Sequence, residues 1–393
     1  MKKLIFALVT TGLSASLFAG LYGDTPDARH AWAVHDMNRP KPHRVVPGAK
    51  CGQPPSDAVV LFDGSRESFA RNWCDEKGGP SKWQLGSEGD FYCVPGWKTG
   101  DLYTKAKIGD CQLHVEYRHE ADVQSIGGSA QMRGNSGVIL MGNYEIQVLD
   151  SYHTSLEDNS VDNYTDGQAG AVYAENPPMV NPQRPAGEWQ VYDIVFHQPV
   201  WEGGKLLHPG SLTVFFNGVL VQDHWEMEGL STHCRRRPLE PHAREGQLQL
   251  QDHGCLVHYR NVWYRPLPSR WANTTHSKMS AKEADVMALR LKTAKALLSK
   301  IDLAKCDAEQ VKQAYEVISY SKDETVLAPC KKIFAGYRTK LEELDSKGLD
   351  AKKGEILDLK RSVDVLKRNR VAENCALCKK ILEIVDQKGW CEE

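Results

Sequence analysis

The stretch Gly134–Asp150, GNSGVILMGNYEIQVLD, reads as a loop running into a strand. Successive side chains of a strand point to opposite faces. Tyr144, Ile146 and Val148 therefore share one face, and Glu145, Gln147 and Leu149 the other. A strand with one apolar face belongs to a sheet packed on a core. The polar residues on its second face raise the functional question.

The same alternation recurs on both sides of this stretch. CQLHVEYRHE (Cys111–Glu120) puts Leu113, Val115 and Tyr117 on one face and Gln112, His114, Glu116 and Arg118 on the other. SLTVFFNGVLVQD (Ser211–Asp223) reads as two short strands around Asn217-Gly218, a hairpin turn signal. GQLQLQDHG (Gly246–Gly254) points Leu248 and Leu250 inward and Gln247, Gln249 and Gln251 outward. Many short alternating strands without intervening helices predict a β-sandwich or jelly roll.

Composition changes near residue 280. Nine of ten Trp, 18 of 19 Pro and 28 of 32 Gly lie before it. Beyond it the chain is rich in Lys, Glu, Leu and Ala, with helical periodicity. Val311, Tyr315 and Ile318 share one helix face, as do Ile356, Leu359, Val363 and Leu366, and Asp307 with Gln310 marks a helix start. CKKIF at Cys330 recurs as CKKIL at Cys378, which suggests a duplicated helical hairpin. The reading is an all-β sandwich over residues 57–268, a linker over 269–280 and a small all-α domain over 281–393. Residues 1–19 precede an N-terminal arm over 20–56.

The opening MKKLIFALVTTGLSASLFAG has two lysines, an apolar run and small residues, the pattern of a secretory signal peptide. A cut near Ala19 fits, with Leu17 atypical three positions before it, and no Cys follows for a lipid anchor. The expected location is periplasmic or secreted, with no membrane span after signal removal, because no later segment has ~18 consecutive apolar residues. With 49 basic and 51 acidic residues, nucleic acid is not the expected partner.

Export would permit disulfides, and the eleven cysteines are an odd number. At least one bridge is expected among Cys51, Cys74, Cys93, Cys111, Cys234 and Cys255; separate buried thiols are the alternative. Cys375 and Cys378 form a CxxC without a following His or a second CxxC, so neither haem attachment nor a zinc site is signalled. Helical burial or disulfide pairing is its ordinary reading.

Three strands offer polar pairs, Glu116 with Arg118, Glu145 with Gln147, and Gln249 with Gln251. Carboxylates, amides and Arg suit the vicinal hydroxyls of a sugar; a solvated face is the plain alternative. Asp252 and His253 stand where a strand enters a turn, and His is readily tuned for proton transfer. The glycines of GNSG would let a ligand approach closely. Asp158, Asp162 and Asp166 in LEDNSVDNYTDGQAG lack the EF-hand spacing and signal calcium only weakly.

Five strings carry a wider resemblance: LFDG, GNSGVILMGNYEIQVLDSY, YTDGQAGAVYAENPPMVNPQRPAGEWQVYDIVFHQP, LTVFFNGVLVQD and LQDHGCLVHYRNVWYRPL. In this order they resemble the 3-keto-disaccharide hydrolase family over about residues 57–268. The chain departs from the family's usual HGNPVRFRN with HGCLVHYRN, which introduces Cys255 and His258. The resemblance implies a concanavalin-like jelly roll acting on glycosides whose C3 hydroxyl is oxidised to a ketone. It also implies site residues Glu116, Arg118, Asn135, Ser136, Glu145, Gln147, Asp150, Tyr173, Gln249 and His253.

A C3 ketone acidifies the proton on C2. Its removal gives an enolate, the C1 substituent leaves, and water adds back, without the oxocarbenium route of ordinary glycosidases. His253 or Glu145 would be the base, Arg118 or a divalent metal would steady the enolate, and Glu116 or Asp150 would serve the leaving group. No cofactor is otherwise signalled. Two rival readings stand beside the enzyme: a non-catalytic glycan-binding jelly-roll module, and a display scaffold whose helical domain docks a protein partner.

Overall fold

The computed structural model describes residues 23–123, 130–152, 165–268, 283–372 and 374–391. The expected signal peptide, Asp158 and Asp162, and the expected 269–280 linker lie outside the described residues. The chain divides into two compact units, His43–Arg270 and Met1–Pro42 with Trp271–Glu393.

The first unit is a sandwich of antiparallel sheets. Its strands in chain order are β1 (Val59–Phe62), β2 (Trp73–Cys74), β3 (Gln84–Leu85), β4 (Phe91–Tyr92), β5 (Leu102–Ile108), β6 (Cys111–His119), β7 (Ser136–Leu140), β8 (Tyr144–Val148), β9 (Gln190–His197), β10 (Val200–Glu202), β11 (Lys205–His208), β12 (Ser211–Phe216), β13 (Val219–Glu226), β14 (Gly229–Leu230), β15 (Arg237–Pro238), β16 (Gly246–Leu250) and β17 (Val257–Pro266). The larger sheet has the order β13-β12-β9-β6-β17-β4-β3, with β1 also on β17, and the smaller β2-β5-β16-β7-β8. Consecutive strands β16 and β17 belong to different sheets, so residues 251–256 cross from one sheet to the other and carry His253 to the end of the sandwich.

The alternating residues pack as their spacing requires. Leu113, Val115 and Tyr117 of β6, Tyr144, Ile146 and Val148 of β8, and Leu248 and Leu250 of β16 are all buried in one core. Phe91 packs against Phe62, Phe69, Trp73, Trp83 and Tyr259, with ring centroids 4.8–5.9 Å away. Asn217 and Gly218 both have positive φ, 50° and 81°, as the tight turn between β12 and β13 demands.

The sheets are also tied by buried hydroxyls. Tyr192 on β9 donates to the Gln147 carbonyl on β8 at 2.7 Å, and the Ser136 and Tyr259 hydroxyls meet at 2.7 Å.

The expected disulfide is not formed: all eleven cysteines are free thiols. Cys93 and Cys111 are fully buried, and burial pushes both thiols up to about 12. They pack as small apolar residues, the alternative the sequence left open.

The second unit holds α2 (Glu283–Leu298), α3 (Ala308–Tyr320), α4 (Glu324–Glu342), α5 (Ser346–Ala351), α6 (Lys353–Arg368) and α7 (Ala376–Lys388); the short α1 (Arg66–Asn72) belongs to the sandwich. Helix α3 packs on α4 and α6, and α7 on α4 and α6. The two CKKI strings thus begin in equivalent helices, α4 and α7. Asp307 caps α3 by accepting from the Glu309 and Gln310 amides.

The N-terminal segment is divided between the units. Trp32 enters the helical core and meets Tyr320 edge-on, with centroids 6.2 Å apart. Tyr320 donates to Asp36, and Asn38 to Glu316 at 2.5 Å. Removing an aromatic side chain from a packed site costs about 3–5 kcal/mol. Trp32→Ala should therefore lower the melting transition of the helical unit and leave that of the sandwich unchanged in differential scanning calorimetry. An unshifted helical transition would show that the segment only decorates the bundle.

Candidate functional site

The outer face of the smaller sheet is where polar side chains converge. With Tyr144, Ile146 and Val148 in the core, β8 must present Glu145 and Gln147 outward. Neither meets bulk water: Glu145 is 7% exposed and Gln147 1%. The next strand makes room for them. Gly137 on β7 stands opposite Gln147, and a Cβ on Gly137 would lie 2.4 Å from Glu145 Oε1.

A further segment extends the sheet beyond β8. The Gln147 amide donates to the Ala171 carbonyl and the Tyr173 amide to the Glu145 carbonyl, each at 3.0 Å. The Glu145 amide donates to Ser231 Oγ at 3.0 Å, which brings the 231–234 loop alongside. There the Tyr173 hydroxyl and His233 Nδ1 are 3.0 Å apart. Gln147 Nε2 donates to Asn135 Oδ1 at 3.1 Å, and Asn135 Nδ2 to the Gln131 carbonyl at 2.6 Å.

On the other side of β7, Gln249 of β16 donates to Asp101 Oδ2 at 2.7 Å. Asp101 also accepts from the Asp252 amide at 2.8 Å. Its charge acts on both Glu145 and His253.

Burial dominates the electrostatics here. It pushes Glu145 up to about 8, with the like charge of Asp101 adding to the effect, and no cation pairs with Glu145 among the described residues. Glu145 is therefore a neutral acid at pH 7. Burial also lowers His253, whose Nδ1 is enclosed without a hydrogen-bond partner, so its ring is a free base at neutral pH. An acid that keeps its proton and a base that lacks one share this face.

Six residues expected from the sequence come together here: Asn135, Glu145, Gln147, Tyr173, Gln249 and His253. Four do not. Glu116 and Arg118 lie on the outer face of the larger sheet, because their neighbours Val115 and Tyr117 fill the core between the sheets. Glu116 is bound there by Arg260 (2.6 Å) and Asn261 (2.8 Å), and Arg118 by Glu88 (2.9 Å). Although burial raises it, hydrogen bonds from His114, Asn261 and Arg260 hold Glu116 near 2. It keeps no proton to donate, and Arg118 stands on the face of the sandwich opposite to that of Glu145 and Gln147.

Ser136 points inward, donating to the Gln251 carbonyl (2.6 Å) as well as meeting Tyr259. Asp150, 2% exposed, is engaged by Arg133 (2.5 Å) and Gln183 (2.9 Å), which makes it a structural clamp. Asp252 organises a turn by accepting from Thr99 and the Gly100 and Gly254 amides. Of the two family departures, Cys255 is buried in the core, and His258 lies between Asp90 (2.6 Å) and Glu120 (2.8 Å).

Sequence reasoning missed Asp101, Ser231 and His233. Asp101 stands just before an alternating strand, and nothing local marks it. Gly137 did carry a signal in the GNSG string, but its opening is filled by the Glu145 carboxyl. Among the described residues, no group of three or more His, Cys, Asp or Glu side chains is arranged to hold a metal ion.

The family model described as a 3-keto-alpha-glucoside-1,2-lyase-like domain matches residues 57–265. Among solved structures, a candidate glycosyl hydrolase from Parabacteroides distasonis ATCC 8503 is 35% identical, over 60% of this chain and 98% of its own, with a TM-score of 0.53. Two more candidate glycosyl hydrolases from that organism are 19% and 18% identical, with TM-scores of 0.39 and 0.37. They cover 54% and 53% of this chain and 94% and 99% of their own, and are too distant to bear on function. No curated protein matches the chain.

Glu145 links stability to pH. Its ordinary value is 4.5 and its folded value about 8. Between these values the native protein holds a proton that the unfolded chain has lost. Stability should therefore fall as pH rises through this window, by at most ~1.4 kcal/mol per pH unit from this group. Glu145→Gln should flatten that part of the profile in melts of the sandwich from pH 5 to 8. Parallel profiles for the two proteins would place the Glu145 proton in water.

Proposed function

The chain belongs to the family of 3-keto-alpha-glucoside-1,2-lyase-like domains, and from that premise we propose that it is an exported enzyme cleaving 3-keto-glycosides on the outer face of its smaller sheet. The family makes it a glycoside-acting hydrolase. The ketone requirement, the elimination route and the residue roles are the proposal. The lysine-led apolar run at the N-terminus supports export. Among the described residues no helix is long and apolar enough to cross a membrane.

The observation that carries the reading is the pairing of a buried neutral carboxylic acid with a half-buried neutral imidazole on one face. Elimination needs both at once. His253 takes the C2 proton, and Glu145 gives its proton to the C1 oxygen as the bond to carbon breaks. Hydration then runs the same groups in reverse: Glu145 as carboxylate takes a proton from the incoming water, and protonated His253 returns one to C2. Both groups end as they began. Gln249, oriented by Asp101, offers its second amide N–H to the C3 oxygen or a neighbouring hydroxyl. Burying Glu145 without a cation is costly, and a surface that only binds glycans has no use for it.

The decisive comparison is a 3-keto-disaccharide against its unoxidised parent, with deuterium incorporation at C2 followed in heavy water. Cleavage with exchange is expected for the ketone alone. Equal rates on the parent would sink the elimination route, and binding of both without turnover would make the domain a glycan-binding module.

His253→Asn should lower kcat ~10²–10⁴-fold, the range for a lost proton-transfer group. Gly137→Ala should fold, since Gly137 has no positive φ, but should displace the Glu145 carboxyl and lose activity to a similar degree. A Gly137→Ala enzyme with normal kcat would remove Glu145 from the mechanism.

A further inference from the structure

The helical unit contains chemistry that the sandwich does not use. Its two CKKI strings align Cys330 with Cys378 and Leu327 with Cys375, so only the second copy has the CxxC. Cys375 is the N-cap of α7, where its Sγ accepts from the Cys378 amide at 3.3 Å. Cys378 lies behind it in the first turn, 5% exposed, with Sγ 3.4 Å from the Tyr315 hydroxyl. The pair is unequal: one sulfur is reachable and the other is sealed.

A cavity of about 480 Å³ adjoins the reachable sulfur. Cys375 lines it together with apolar Leu327 and Phe334 and cationic Lys322, Lys331 and Arg338, the last two also ion-paired with the exposed Glu324 (2.9 Å) and Glu342 (3.4 Å). That volume falls in the range of small-molecule sites, roughly 300–1,000 Å³.

We propose that Cys375 and Cys378 form a thiol–disulfide exchange centre that takes a small anionic disulfide in this cavity. Cys375 thiolate attacks one sulfur of the disulfide RSSR. The S–S bond breaks, RS⁻ leaves, and a mixed disulfide forms on Cys375. Cys378 then loses its proton and attacks the Cys375 sulfur, expelling the second RS⁻. Protein dithiol and RSSR become protein disulfide and two RSH, with atoms and electrons balanced.

The electrostatics favour these roles. The hydrogen bond from Cys378 draws the Cys375 thiol below its usual range, while its partnership with Cys375 and burial raise Cys378. A helix N-terminus and a CxxC partner are known causes of thiolate formation. The attacking sulfur is thus the more readily ionised and the more accessible one, as exchange requires.

The test uses the reduced full-length chain with glutathione disulfide, read by peptide mass spectrometry. Cys51, Cys234 and Cys391 are exposed and serve as internal controls. The expected product is a Cys375–Cys378 bridge, formed at least tenfold faster than any adduct on those three. Cys378→Ser should trap one glutathione on Cys375, and Cys375→Ser should leave Cys378 unmodified. Arg338→Ala should slow the reaction with glutathione disulfide but not with neutral hydroxyethyl disulfide. Adducts on the exposed controls as fast as on Cys375, or no bridge, would overturn the centre. Equal slowing with both probes would overturn the anionic preference.

Discussion

The Tyr192 hydroxyl reaches across the sandwich to the Gln147 carbonyl, and the Ser136 and Tyr259 hydroxyls close a second bridge beside it. These bonds lie among fully buried groups, where a lost partner leaves a desolvated donor or acceptor. They fix β7 and β8 against the larger sheet in one register. A slip of one residue would exchange the two faces of β8, turning Glu145 and Gln147 into the core and Ile146 out. The candidate site exists because that register is held.

Two glutamates show what the register achieves. Glu116 and Glu145 each alternate with core residues on their own strand, and both are shielded from water. Glu116 meets Arg260, Asn261 and His114 and is held near 2; Glu145 meets no cation among the described residues, lies over Gly137, and is pushed to about 8. One fold thus sets two identical side chains to opposite protonation states by environment alone, the arrangement proton-transfer chemistry exploits. The face bearing Glu116 is closed by an aromatic and backbone cover, with His114 stacked on Trp263 and the Trp263 indole bound to the Gly52 carbonyl. Its charges are satisfied internally and leave little to offer a ligand.

The helical unit follows a different logic. Its helices repeat a pattern, and a short segment from the beginning of the chain completes their core through Trp32. Among the differences between the two copies is a cysteine in place of leucine, and that difference creates the dithiol at the start of α7. A repeat can carry such a change because the helix keeps its cap and its packing.

Much of the architecture was legible in the residues themselves. Period-two alternation at Cys111–Glu120, Gly134–Asp150 and Gly246–Gly254 specifies which side chains enter a core, and Asn217-Gly218 specifies a tight turn. The 3.6-residue period beyond residue 280 specifies helices. These are local properties, set by where Cβ points along a regular backbone. What alternation cannot state is which sheet a strand joins. Glu116 and Glu145 look alike in sequence, yet pairing between distant strands puts them on opposite sides of the sandwich. The same pairing brings Asp101 against Gln249 and the Ser231–His233 loop against β8, across separations no local pattern spans. Burial, and with it the protonation state of Glu145, depends on that assembly, because a carboxyl loses its water only when other parts of the chain close over it.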